Sequence, residues 1–181
     1  MNTASTGSPR VSLCVAHLLA DHREGERVID RLEYLLNEPP TDGCWSPDRA
    51  ATFSELSRFF NERAIGHVQK EEDILFPALE AYLPRDIGPL AVLRGEHKEL
   101  TGLFRRLVEL GTVLSSARGD VLVCAEFEGT GRRLIQAFRD HVYKEDRILY
   151  PMVSRFLSAE RDTHLVEQMT GVAVDSAKAM G

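Results

Sequence analysis

Two short segments of the chain repeat one arrangement of side chains that are suited to binding metal ions. The segment His67-Val-Gln-Lys-Glu71-Glu-Asp-Ile-Leu-Phe-Pro77 returns as His141-Val-Tyr-Lys-Glu145-Asp-Arg-Ile-Leu-Tyr-Pro151, with seven of eleven positions identical. Residues four apart on a helix are neighbours on one face, so each segment presents an imidazole nitrogen beside a carboxylate oxygen. The repeat therefore predicts two equivalent His-x-x-x-Glu half-sites.

A single upstream histidine accompanies each half-site. Asp21-His22 is matched by Glu96-His97 at an offset of 75 residues, close to the 74 residues that separate the two His-x-x-x-Glu pairs. The chain is thus predicted to contain two copies of one helical hairpin, each supplying three metal ligands. The six candidate ligands are His22, His67, Glu71, His97, His141 and Glu145.

These six side chains lie in otherwise apolar stretches, where an ionised group without a partner costs several kcal/mol. A pair of divalent cations removes that cost, with ionised glutamate and neutral histidine as the ligands. Mixed nitrogen and oxygen ligation without thiolate favours iron or manganese, and zinc is also compatible. The pattern therefore predicts a two-metal site at the centre of a helical bundle.

Four long helices are needed to bring the candidate ligands together. Glycine and proline clusters interrupt the chain at 37–47, 83–89 and 115–120, and these breaks have the length of loops between antiparallel helices. Between them, apolar residues recur at intervals of three and four. Ser46 before Pro47, and Asp120 after Gly119, resemble helix N-caps. We predict an all-α fold with helices at about 11–36, 47–82, 88–115 and 120–157.

The predicted domain organisation is simple. Residues 1–10 are expected to form a flexible N-terminus, 11–158 the bundle, and 159–181 a C-terminal tail with a short helix around 163–169. Pro77 and Pro151 are expected to kink or end helical order near the far ends of the second and fourth helices.

Composition excludes several classes of function. The 181 residues include 22 Lys+Arg and 28 Asp+Glu, a formal net charge of -6, with no basic stripe of the kind that binds nucleic acid. No segment approaches the ~18 uncharged apolar residues of a membrane span. Cys14, Cys44 and Cys124 are far apart and form no CxxC pair, which argues against a disulfide framework. We therefore expect a reducing, cytoplasmic compartment.

Two histidines and two tyrosines have other interpretations. His17 lies about 140° around its helix from His22 and is expected to face elsewhere, while His164 is expected to be solvated. Tyr143 and Tyr150 could approach the metals, but core packing is the favoured interpretation for both. A lone buried histidine such as His22 is itself ordinarily a hydrogen-bonded core residue, and only the duplication favours ligation.

Four acidic residues adjoin the candidate ligands in sequence. Glu72 and Asp146 are interpreted as surface charges. Asp21 and Glu96 point about 100° away from the histidines that follow them, so a contact with the ligands is the less favoured interpretation.

Taken together, the spaced pattern of His22, His67-x-x-x-Glu71, His97 and His141-x-x-x-Glu145 resembles the hemerythrin-like (HHE cation-binding) family over about residues 11–156. The resemblance implies an up-down-up-down four-helix bundle around a non-haem di-iron centre, with Glu71 and Glu145 bridging the irons and the histidines as terminal ligands. Oxygen-carrying members have a further histidine one turn after the first on the third helix. Here that position is Thr101, which argues against reversible oxygen transport.

Three functional hypotheses follow. The leading one is a di-iron centre that binds or reacts with O2, NO or peroxide and receives electrons from a separate donor, because fewer histidines leave a coordination position for a small ligand. The second is iron sensing, buffering or delivery without redox turnover, in which metal occupancy controls folding. The third is a structural bundle whose histidines only pack.

Overall fold

The computed structural model describes residues 12–38, 45–117 and 120–178, and it contains no β-strand within them. The predicted flexible segment 1–10 lies outside these ranges. The all-α prediction is confirmed for the described residues, which form five continuous helices. They are α1 (Leu13–Asn37), α2 (Pro47–Phe59, Phe60–Ala64, Ile65–Gln69, Lys70–Leu75 and Phe76–Leu79), α3 (Pro89–Ala117), α4 (Val121–Lys144, Glu145–Leu149 and Tyr150–Phe156) and α5 (Ala159–Lys178).

Local capping explains where three of the helices begin. The Ser46 side chain accepts a hydrogen bond from the backbone N–H of Arg49, with Pro47 in the first helical turn. Asp120 accepts from the backbone N–H groups of Leu122 and Val123. Both caps confirm the sequence prediction, and Ser12 supplies a third at the start of α1.

Cross-helix side-chain pairs show the direction in which neighbouring helices run. Arg31 of α1 binds Glu55 of α2, and Lys70 of α2 binds Asp21 of α1. Residue numbers therefore fall along α1 as they rise along α2, so the two helices are antiparallel. The same order holds for α2 with α3 (Phe60 with Phe104, Glu72 with His97), α3 with α4 (Arg106 with Glu126, Glu99 with Arg133) and α1 with α4 (Asp30 with Arg139, His22 with Asp146).

Buried apolar side chains form two separate clusters along the length of the bundle. One cluster includes Leu32, Phe60 and Phe127, and the other includes Leu18, Phe76 and Leu149. The histidine and glutamate residues of the repeat occupy the layer between them, at sequence positions intermediate to the two clusters on all four helices. The apolar clusters supply the packing, and the polar layer interrupts them where the sequence predicts.

Each copy of the repeat contains a turn of π-helix. The backbone N–H of Phe76 donates to the carbonyl of Glu71, and that of Tyr150 donates to the carbonyl of Glu145, five residues back in both cases. Pro77 and Pro151 follow immediately, and helical backbone continues through both prolines to the ends of α2 and α4. A wider turn relieves the crowding between a proline ring and the carbonyl four residues earlier. The departure from α geometry therefore precedes the prolines and falls on the two glutamates.

The C-terminal tail forms a longer helix than the short one expected around 163–169. Leu165 and Met169 of α5 are buried in the cluster that contains Leu18. Asp162 accepts hydrogen bonds from the Ser12 hydroxyl and from the backbone N–H groups of Leu13 and Cys14, at 2.8, 2.8 and 3.0 Å. The tail therefore docks on the first turn of α1, where unpaired N–H groups need an acceptor.

The cysteines require a correction. Cys14 is free and buried, but Cys124 is disulfide-bonded, so the expectation that the cysteines form no cross-link is wrong at Cys124. Sequence spacing does not reveal which cysteines the fold brings together. Disulfides are uncommon in reducing compartments, so the cysteines do not support the cytoplasmic location, which stays a prediction. Within the described part of the chain, every helix is too short or too polar to cross a bilayer.

Candidate metal centre

The six predicted ligands converge in the polar layer of the bundle. His22 comes from α1, His97 from α3, and the two His-x-x-x-Glu pairs come from α2 and α4. Five of the six side chains are buried, and His67 is 12% exposed. The structure therefore brings all six predicted ligands into one layer.

The Nε2 atoms of the four histidines face the two carboxylates. His67 and His97 lie 3.4 and 3.2 Å from Glu71 Oε2, and His22 and His141 lie 3.1 and 3.3 Å from Glu145 Oε2. His97 Nε2 is also 3.6 Å from Glu145 Oε1. The donor atoms fall into two groups that can hold a metal ion: Glu71, His97, His141 and Glu145 in one, and His22, His67 and Glu145 in the other.

Several of these donor atoms lack a hydrogen-bond partner among the described residues. They are Glu71 Oε2, His97 Nε2 and both oxygens of Glu145. The short nitrogen–oxygen distances do not satisfy them, because an imidazole that carries its proton on Nδ1 offers only a lone pair at Nε2. Buried polar atoms are ordinarily paired, and these four converge on one point. A pair of cations with nitrogen and oxygen ligands fits this arrangement.

Each histidine is oriented by a carboxylate at its other ring nitrogen. His22 Nδ1 lies 2.8 Å from Asp146, His67 Nδ1 3.3 Å from Asp21, His97 Nδ1 2.9 Å from Glu72, and His141 Nδ1 3.1 Å from Glu96. A carboxylate at Nδ1 keeps the proton there and leaves Nε2 free to bind a metal.

Glu72 and Asp146 contact ligand histidines, so their interpretation as surface charges is wrong. Asp21 and Glu96 also contact ligand histidines, which is the less favoured of their two interpretations. Glu72 and Asp146 each directly follow a glutamate ligand. Asp21 and Glu96 each directly precede a lone histidine. Both pairs therefore occupy equivalent positions of the repeat. That repetition was the signal in the sequence. Lys70 binds Asp21 at 2.8 Å, and Lys144, its equivalent, binds Glu96.

Tyr150 is part of the site, so the less favoured of its two interpretations is the one that the structure supports. Its hydroxyl donates to Glu71 Oε1 at 2.8 Å and lies 3.3 Å from His22 Nε2. The equivalent residue in the first repeat is Phe76, which has no hydroxyl, so the duplication gave no signal for this contact. Tyr143 is 64% exposed, and His164 is exposed as predicted. His17 belongs to neither group of donor atoms.

The electrostatics of the cluster follow from burial and from its carboxylates. Burial lowers the pKa of His22, but Asp146 and Glu145 outweigh it and raise that pKa to about 10. Glu145 and Glu71 likewise overcome burial and raise the pKa of His97 to about 10. Burial dominates at His141 and lowers its pKa. A divalent cation competes with protons for these nitrogens, so cation binding is expected to release protons.

A narrow, mostly apolar cavity of about 40 Å³ adjoins the site. Its walls include His22, His67 and His141. Glu24 and Arg63, which pair at 2.8 Å and are 42% and 59% exposed, mark its solvent side. The apolar part of the wall is formed by Phe59, Ala64, Val68, Leu100, Phe104, Phe138 and Val142.

An all-helical fold in which paired histidines and glutamates from four helices face one another defines a class of metal-binding helical proteins. The Hemerythrin HHE cation binding domain is the family whose model matches the chain, over residues 14–153. The chain belongs to this family. No curated protein matches it.

Proposed function

We propose that this chain is a hemerythrin-like, non-haem di-iron protein whose centre binds or reacts with O2, NO or peroxide. The observation that carries the proposal is that the two donor groups share Glu145 and lie beside an apolar cavity lined by His22, His67 and His141. A buried pair of cation positions beside a small apolar space suits a small, weakly polar ligand.

The architecture that we propose is an up-down-up-down four-helix bundle made of two hairpins. The antiparallel order of side-chain pairs between α1 and α2, α2 and α3, α3 and α4, and α1 and α4 supports it. In this arrangement each helix contributes ligands from its inner face at the same level. The ligand set is therefore tied to the packing of all four helices.

One iron would be held by Glu71, His97 and His141 and the other by His22 and His67, with Glu145 shared between them. When bound, iron supplies a coordination position for a small ligand and electrons for its reduction. The protein's own residues fix the imidazole orientations through Asp21, Glu72, Glu96 and Asp146. A separate electron donor is part of the proposal, since no other redox group is predicted from the sequence.

The apolar cavity supports the choice of ligand class. Phenylalanine and aliphatic side chains make its wall around the histidines. O2 and NO enter such a space without losing strong hydrogen bonds to water, whereas a phosphate or carboxylate ligand would lose them. Its volume of about 40 Å³ suits a diatomic ligand.

The test is anaerobic reconstitution of the full chain with Fe(II), metal analysis, and optical spectra before and after addition of O2, NO or peroxide. The proposal requires about two irons per chain, one for each donor group, and a new absorption band with at least one of the three reagents. Iron uptake without any spectral change would reject reactivity.

Iron sensing, buffering or delivery is the second candidate, and the unpartnered atoms of Glu71, His97 and Glu145 favour it. Cations that bind these buried atoms are expected to stabilise the folded state. The free energy of unfolding should rise by about 2.7 kcal/mol when the free metal is at 100 times its dissociation constant. Thermal melting of the apo and iron-loaded forms measures this. An equal melting temperature would reject metal control of folding.

A further inference from the structure

The two halves of the candidate metal centre differ at one pair of equivalent aromatic residues. Phe76 stacks on His97 with ring centroids 5.6 Å apart and an interplanar angle of 7°. Tyr150, at the equivalent position of the second repeat, stacks on His22 with centroids 5.4 Å apart and an angle of 19°. Both aromatic side chains are buried. The chemical difference between them is a single hydroxyl group.

That hydroxyl engages one of the four carboxylate oxygens in the centre. Tyr150 donates to Glu71 Oε1 at 2.8 Å. The other three oxygens, Glu71 Oε2 and both oxygens of Glu145, have no hydrogen-bond partner among the described residues. Glu145 therefore offers two unengaged oxygens to cations, whereas Glu71 offers one.

The two donor groups are also unequal in their carboxylates. Glu71 belongs to the four-residue group with His97, His141 and Glu145, but the group of His22 and His67 includes only Glu145. The Tyr150 hydroxyl lies beside the smaller group, 3.3 Å from His22 Nε2. An oxygen that already accepts a hydrogen bond at 2.8 Å must release it, or share a lone pair, before it can serve as a full ligand there.

We propose that Tyr150 makes the two metal positions unequal by holding Glu71 Oε1, so that a cation fills the four-residue group first and the group of His22, His67 and Glu145 second and more weakly. Tyr150 is a positioning residue that acts through Glu71. The second position keeps fewer protein ligands, and the Tyr150 hydroxyl adjoins it. This inference rests on the proposed two-metal centre, and it replaces two equivalent half-sites with an ordered pair.

The test is a titration of the chelator-treated full chain with Co(II), followed by calorimetry and by the visible d–d spectrum. The wild type is expected to show two separate binding steps with different cobalt spectra. Tyr150→Phe should strengthen the second step by roughly tenfold or more, because a hydrogen bond to a charged group no longer competes for Glu71. The spectrum of the second cobalt should change with it, while that of the first should not.

Phenylalanine already occupies the equivalent stacked position at residue 76, so Tyr150→Phe is expected to fold. Circular dichroism and thermal melting check this. Tyr143→Phe, which removes a 64% exposed hydroxyl two residues after His141, is the matched control and should leave both binding steps unchanged.

Two further variants test the order of filling. His67→Ala should lose the weak step and keep the tight one, whereas His141→Ala should lose the tight one. Two indistinguishable steps in the wild type, or an unaltered second step and spectrum in Tyr150→Phe, would overturn the inference. Failure of the iron-loaded protein to react with O2, NO or peroxide would reject the proposed reactivity and leave the unequal cobalt steps standing.

Discussion

Asp146 accepts a hydrogen bond from His22 Nδ1 at 2.8 Å across 124 residues of sequence. His22 belongs to the first hairpin and Asp146 to the second, so the hydrogen bond joins the two copies of the repeat. Glu72 and His97 make the reciprocal contact at 2.9 Å. Each hairpin therefore orients the lone histidine of the other, and neither hairpin can form a complete site by itself.

Asp146→Asn is expected to lower cation affinity by about 10- to 100-fold, because the amide removes the charge that holds the His22 tautomer and orientation. Calorimetric titration of the purified protein with Co(II) measures the change. Asp140→Asn is the matched control, since Asp140 lies on the same helix, is exposed and pairs only with Gln136 among the contacts described. Equal affinities for Asp146→Asn and the wild type would show that the carboxylate does not act on the metal.

His67→Ala is expected to reduce bound metal by about half, since it removes one of three residues in the smaller donor group. Inductively coupled plasma analysis of protein loaded with excess iron gives the stoichiometry. His164→Ala alters a histidine that is 54% exposed and distant in sequence from the centre, and it should bind as much metal as the wild type. Full metal content in His67→Ala would support a purely structural role for the histidines.

Ala64→Val is expected to slow the reaction with O2 or NO several-fold, because two added methyl groups occupy much of a cavity of about 40 Å³. Stopped-flow absorbance of the reduced, iron-loaded protein measures the rate, and metal content should be unchanged. Ala51→Val makes the same substitution on the exposed side of α2. If both variants react at the wild-type rate, ligands reach the centre by another route.

Asp162→Asn is expected to destabilise the protein by about 2 kcal/mol at neutral pH, because hydrogen bonds to the charged carboxylate at the start of α1 are weakened. Burial raises the pKa of Asp162, but hydrogen bonds from Cys14, Leu13 and Ser12 outweigh it, and the pKa lies below its ordinary value. The folded state therefore binds this proton less tightly than the unfolded state. The stabilisation is complete above the unfolded pKa of about 4 and is lost as pH falls through the folded pKa.

Urea unfolding of the wild type and Asp162→Asn across a pH series measures this dependence. The difference in unfolding free energy between them should shrink below about pH 4. Glu160→Gln, an exposed change on the same helix, should show no such difference. A constant difference down to pH 2 would contradict the assignment.

The repeat made much of this molecule predictable. Apolar spacing and the Gly and Pro breaks located the helices to within a few residues, and the Ser46 and Asp120 caps agree with the structure. The grouping of His22, His67, Glu71, His97, His141 and Glu145 followed from a duplicated pattern. These features depend on residues close in sequence, where helical periodicity fixes which side chains share a face.

The partners of those ligands depended on the packing between helices. Asp21 and Glu96 point about 100° from the adjacent histidines on their own helices, and that angle aims them at His67 and His141 on neighbouring helices. The Tyr150 hydroxyl at Glu71 and the docking of Asp162 on α1 likewise involve residues far apart in the chain. The sequence by itself determined the ligand types and their level in the bundle, because both follow from local spacing. Only the tertiary structure decided which carboxylate orients each histidine and which half of the centre carries the hydroxyl, because those contacts form between helices.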